Sequence, residues 1–90
     1  MTQPKILDYN YFNDRYYLKP DGSLVNKRTN KTITAKSNDG YLVLNTRKYG
    51  LIPQHRIAYL LYHKTQPPHA IKHLNGVKTD NRKENLAEDK

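Results

Sequence analysis

Four glycines punctuate this chain, and each closes a turn signal: Pro20-Asp21-Gly22, Asp39-Gly40, "RKYG" ending at Gly50, and Asn75-Gly76. Glycine, proline and short Asx side chains favour reversals for separate steric reasons. Together with Pro67-Pro68 they cut the sequence into short segments. The first two signals separate runs with strand character. "RYYLKPDGSLVNKR" carries a turn between two such runs, "TITAK" follows, and Asp39-Gly40 can supply the positive φ of a two-residue hairpin. The next run alternates, with Tyr41, Val43 and Asn45 on one face and Leu42, Leu44 and Thr46 on the other. Residues 14–52 therefore read as a small antiparallel sheet of three or four strands. Residues 1–13, with Tyr9, Tyr11 and Phe12, read as an N-terminal arm or strand packed against it.

One segment has helical period. "PQHRIAYLLYHK", residues 53–64, places Ile57, Leu60, Leu61 and Lys64 on one stripe, and Pro53 suits a first turn because its missing N–H is not needed there. "TQPPHA" ends the helix, since a residue before proline is pushed out of the helical region. A short strand from Ile71 to Leu74, a glycine turn and a polar loop closing at Asn85-Leu86 complete a hairpin-like segment over 70–88. The expected class is α+β, a small antiparallel sheet plus one helix, in a single domain over 1–90.

With 36% apolar residues and a mean hydropathy of -1.00, the core must be thin. A domain of this length buries only about 60–65% of its unfolded surface. The absence of cysteine excludes disulfides and thiolate metal sites and fits a reducing cytoplasm. The opening "MTQPKILDYNYF" lacks an apolar signal core, and no run approaches the roughly 18 apolar residues of a membrane span, so a cytoplasmic location is expected.

Charge says more about partners. The net charge is +8. Between Leu24 and Thr79 lie Lys27, Arg28, Lys31, Lys36, Arg47, Lys48, Arg56, Lys64, Lys72 and Lys78, opposed only by Asp39. The remaining acids sit towards the two ends. A basic middle of this kind is an electrostatic footprint for phosphates. The cations do not lie on one long amphipathic helix, which argues against a membrane surface.

The pairing of "HRIAYLLY" with "IKHLNGVKTDNRKENL", preceded by the strand "GYLVLNT", resembles the phage HNH endonucleases and their homing-endonuclease relatives over roughly residues 40–88. The resemblance implies an HNH hairpin, incomplete in this chain, and a bacterial host cell. It implies one divalent metal, Mg²⁺ or Mn²⁺, on the scissile phosphate. It puts His73 at the position of the general base, for which an imidazole titrating near neutrality is suited. Asn85 matches the residue that ties the loop and helps to orient the histidine, and Asn75 and Gly76 match the turn.

Two departures bear on activity. The acid expected before the histidine is Lys72, which cannot ligate a hard cation that binds through oxygen. The helix expected after Asn-Leu to carry a second ligand has no counterpart in the four residues that follow Leu86. Asp80 is a candidate rescuing acid, although an acid before Asn-Arg is more often a turn cap. His69 and His73, with His63 further back, make a poor zinc set without a thiol. The expectation is therefore no metal ligand, no cofactor, and Lys72 lying on a phosphate where the metal would be.

Three readings of function follow. The first is a phage-type protein that binds nucleic acid, expected to be duplex DNA, without cutting it, through Lys27, Arg28, Lys31, Lys36, Arg47 and Lys48 on the sheet and Arg56, Lys72, Lys78 and Arg82 around the former site. Arg47 beside Tyr41 and Tyr49 is a candidate base reader, although hairpin tyrosines more often pack. The second is a small inhibitor of a host defence complex, of restriction or CRISPR ribonucleoprotein type. The third is an active HNH endonuclease whose missing ligands, with Mg²⁺ or Mn²⁺, come from a partner subunit.

Overall fold

The structure, a computed structural model, describes residues 6–89. Residues 1–5 of the expected arm lie outside them. The class is α+β, with two helices and small antiparallel sheets.

The segment expected as an arm or strand is instead a helix, α1, over Tyr9–Arg15. The Asp8 side chain caps it by accepting from the Asn10 N–H at 3.0 Å, and Arg15 stands in the last turn, where a cation complements the helix dipole. Phe12 is the residue α1 buries. Directly after it come β1 (Tyr16–Leu18), β2 (Leu24–Asn26) and β3 (Lys31–Thr32), an antiparallel sheet in chain order. Tyr17 pairs with Val25, and Val25 with Thr32.

β4 (Val43–Thr46) and β5 (Gly50–Pro53) form a separate hairpin, so residues 14–52 make two sheets rather than one. The register pairs Val43 with Pro53 and Leu44 with Ile52. Leu44 and Ile52 enter the core, while Asn45 and Leu51 are exposed. The buried Gln54 side chain joins the two sheets, since its Nε2 donates to the carbonyls of Ile33 and Val43, each at 3.0 Å.

Helix α2 runs over Gln54–His63. Pro53 is its extended N-cap as well as the last residue of β5. The expected stripe holds at Ile57 and Leu60, both buried; Lys64 leaves it to form a left-handed C-cap with φ 55°. The core joins Leu7, Phe12, Tyr16, Leu24, Leu44, Ile52, Ile57 and Leu60. Each fully buried side chain of this size contributes about 1.5–3 kcal/mol relative to exposure. Tyr49 stacks on Phe12 with ring centroids 5.5 Å apart. Leu7 is held by Gln66, whose side chain accepts from the Leu7 N–H and donates to its carbonyl.

The last sheet pairs β6 (Ile71–His73) with β7 (Leu86–Glu88), setting His73 opposite Leu86. A 3-10 turn over Lys83–Asn85 leads into β7. The intervening loop is seated on the rest of the molecule at residues 81–82. The Tyr62 hydroxyl donates to the Asn81 carbonyl at 3.2 Å. From the other side comes Gly22, with φ +86°; a Cβ there would overlap the Asn81 carbonyl carbon and the Arg82 nitrogen. Only a glycine lets the β1–β2 turn approach so closely.

Candidate nucleic-acid interface

The chemistry-bearing residues gather in two places. The first surrounds His73. Side chains alternate along a strand, so the half-buried His73 faces the protein while exposed Lys72 points the opposite way. The Lys72 and His73 side chains thus leave β6 from opposite faces.

His73 Nε2 lies 2.8 Å from Asn81 Oδ1. A carboxamide oxygen only accepts, so Nε2 is the donor in this contact. Asn81 is buried, and it orients the ring. His55, in the first turn of α2, meets His73 edge-on with centroids 5.3 Å apart, and Tyr41 lies 5.5 Å from His55 and 5.8 Å from His73. Burial, then the neighbouring His73 and Arg56, lower the His55 pKa to about 4, so this imidazole is neutral near pH 7.

The loop beyond His73 is tied through Asn85. Its Oδ1 accepts from the Asn75 N–H at 2.9 Å, and its Nδ2 donates to Asn75 Oδ1 at 2.9 Å and to the Asp80 carbonyl at 2.8 Å. Asp80 is a turn acid. It accepts from Arg82 Nε at 2.8 Å, Arg82 Nη2 at 2.9 Å and Asn75 Nδ2 at 2.8 Å. Those bonds, led by the Arg82 guanidinium, hold its carboxyl well below the usual carboxylate range.

These surroundings do not fit a divalent cation. Asp80 is already committed to Arg82 and Asn75, and among the described residues no three His, Cys, Asp or Glu side chains converge to hold a metal. His63 packs on Tyr59, at 4.3 Å between centroids, and His69 offers its carbonyl to Arg56.

The second place is a groove of about 450 Å³ between the end of α1, the turn after β2 and the β4–β5 turn. Arg15, Lys27, Arg28 and Arg47 line it, with Asp14, Tyr11 and Asn45. Of the ten expected binding cations the groove gathers three, Lys27, Arg28 and Arg47, and adds Arg15. Arg15 stacks 4.0 Å from the Tyr11 ring and donates to the Tyr11 carbonyl, while Lys27 donates to the Asn13 carbonyl.

The others are dispersed. Lys31 and Lys36 are exposed, on β3 and at the isolated bridge to Leu42. Lys48 lies 3.9 Å from Asp8 and over Tyr11 and Tyr49. Lys78 donates to the Asp39 carbonyl at 2.8 Å, 5.0 Å from the Tyr41 ring centroid. Arg56 and Arg82 hold the fold instead: Arg56 donates to the carbonyls of Pro68 and His69, and Arg82 grips Asp80. Tyr49 packs on Phe12 and Tyr41 joins the histidines.

Sequence reasoning missed Arg15, His55 and Asn81. Arg15 had a signal, a cation one helix turn after Tyr11. For the other two the signal is tertiary. Among the described residues no helix is long and apolar enough to cross a membrane. No family model matches the chain, and neither a curated protein nor a solved structure matches it.

Proposed function

We propose that this protein binds duplex DNA through the groove of Arg15, Lys27, Arg28 and Arg47 and holds it without cutting, as an HNH-like unit in which the chemistry has given way to grip. The observation that carries the reading is the convergence of four cations from three elements on one groove, in a chain of net charge +8. Phosphate oxygens are the partners such a groove favours, and contacts of this kind position a duplex without reading its sequence. The His73 ring is oriented by Asn81, but a positioned base alone contributes only about 10²–10⁴-fold. Neutralising the phosphate and the leaving oxygen requires a cation, and the groups around His73 offer no carboxylate cage for one.

Binding measured against salt tests this. Four phosphate contacts predict a slope of log K against log salt of about -4, and replacing Lys27 and Arg28 with alanine flattens it by about 2. Absence of binding at low salt overturns the reading and turns attention to a host protein complex as the partner. Mg²⁺-dependent nicking of supercoiled plasmid, abolished by His73→Ala, replaces it with an active endonuclease.

A further inference from the structure

The outer face of the β4–β5 hairpin carries a hollow of about 370 Å³ lined by Tyr41, Val43, Leu51, Pro53 and His55, with Ser37 and Asp39 at its rim. The register explains its composition. Leu44 and Ile52 face the core, so their strand neighbours Val43, Leu51 and Pro53 take the opposite face, where Val43 is buried, Pro53 half-buried and Leu51 exposed. Leu51 is an apolar side chain left 60% exposed there.

We propose that this hollow receives an unpaired nucleobase, bulged or flipped from a nucleic acid whose backbone lies in the basic groove; the inference rests on the nucleic-acid reading above. Continuity argues for a base. Asn45 lines the groove, and it lies on the same strand face as Val43, which lines the hollow. Two residues along a strand span roughly 7 Å. A nucleotide held by Arg47 and its neighbours thus has the hollow beside it.

The lining suits a flat, weakly polar group with a hydrogen-bonding edge. Tyr41, Pro53 and Leu51 give apolar walls. At the rim the Ser37 hydroxyl donates to the Asp39 carboxylate, and that bond above all holds the Asp39 carboxyl below its ordinary pKa. An ionised carboxylate accepts from the exocyclic amino group of cytosine or adenine. Lys78, 5.0 Å from the Tyr41 ring, sets a cation beside the hollow, in keeping with an anionic ligand. A stable protein partner would need a face of about 800 Å² per side, far beyond this hollow.

The test compares three DNA ligands of equal length: a paired duplex, the same duplex with one bulged 2-aminopurine, and the same with an abasic bulge. The bulged base is expected to bind about tenfold more tightly than the other two, with a change in 2-aminopurine fluorescence. Leu51→Ser, at an exposed position, is expected to remove most of that preference and leave affinity for the paired duplex unchanged. Equal affinity for all three ligands, with the salt slope intact, overturns this inference alone. Failure to bind any of them overturns the nucleic-acid reading as well. A change in oligomeric state with Leu51→Ser and no change in base preference assigns the face to a second copy of the chain and also overturns it.

Discussion

The basic groove and the His73 loop are both polar, and they are built on opposite plans. In the loop the polar groups answer one another: Asn85 with Asn75 and the Asp80 carbonyl, Asp80 with Arg82, His73 with Asn81. In the groove, exposed cations from separate elements share a space with little carboxylate to neutralise them, Asp14 alone among the lining residues. A closed network fixes geometry and makes its members necessary for folding. An open set of like charges adds little to stability and keeps its capacity for an outside anion. The same residue type serves both ends, as Arg82 and Arg47 illustrate.

The sharpest break should come where the loop is seated. Gly22→Ala forces a methyl against the Asn81–Arg82 backbone at positive φ, and a loss of about 3 kcal/mol or more is expected in denaturant unfolding. Gly76→Ala is the matched control: its φ is also positive, at +74°, but nothing lies within 4 Å, so only the conformational cost of about 1–2 kcal/mol remains. Equal effects would mean that the β1–β2 turn does not seat the loop.

Asn85→Ala comes next. It strands the Asn75 N–H and the Asp80 carbonyl, and about 2–3 kcal/mol should be lost, with faster amide exchange at Asn75. Unchanged exchange would show that Asn85 does not hold the loop.

Acid should act through His55. Its folded pKa of about 4 lies below the ordinary value of 6.5, so between those values the unfolded chain takes up the proton more readily. Its contribution is complete above about pH 6.5 and falls away as pH drops towards 4. The loss should reach about 3 kcal/mol, and His55→Gln should flatten that part of the stability profile. A profile unchanged by the substitution would mean that His55 is not shielded.

The smallest stability effect should come from the groove. Lys27→Ala with Arg28→Ala should shift unfolding by less than about 0.5 kcal/mol while weakening DNA binding. A large stability loss would place those cations with the loop's closed network.

Local signals were legible where they were regular. The alternation at 41–46 and the stripe at Ile57 and Leu60 are periodic patterns, and each became the element it predicts. Helix α1 has seven residues, too short for a periodic signal, and rests on the Asp8 cap and the burial of Phe12. The split into separate sheets, which Gln54 joins at Ile33 and Val43, was illegible because no local pattern distinguishes one sheet from two. In the site, the tie of Asn85 to Asn75 joins residues ten apart, so no pattern of neighbours carries it. The meeting of His55 with His73 is no more legible, since they lie on a helix and a strand brought together only by packing. Nor does spacing distinguish a cation that binds outward from one that pins a carbonyl, as Arg56 does for Pro68.

The close passage of Gly22 past Asn81 and Arg82 also orders events in time. Contacts between residues some sixty positions apart must await closure of a long loop, and such closures slow folding relative to local helix and hairpin formation. During synthesis the first hairpin emerges well before the backbone it will rest against. Its turn stays uncovered until residue 82 has left the ribosome, and the His73 surroundings are completed in that same late step.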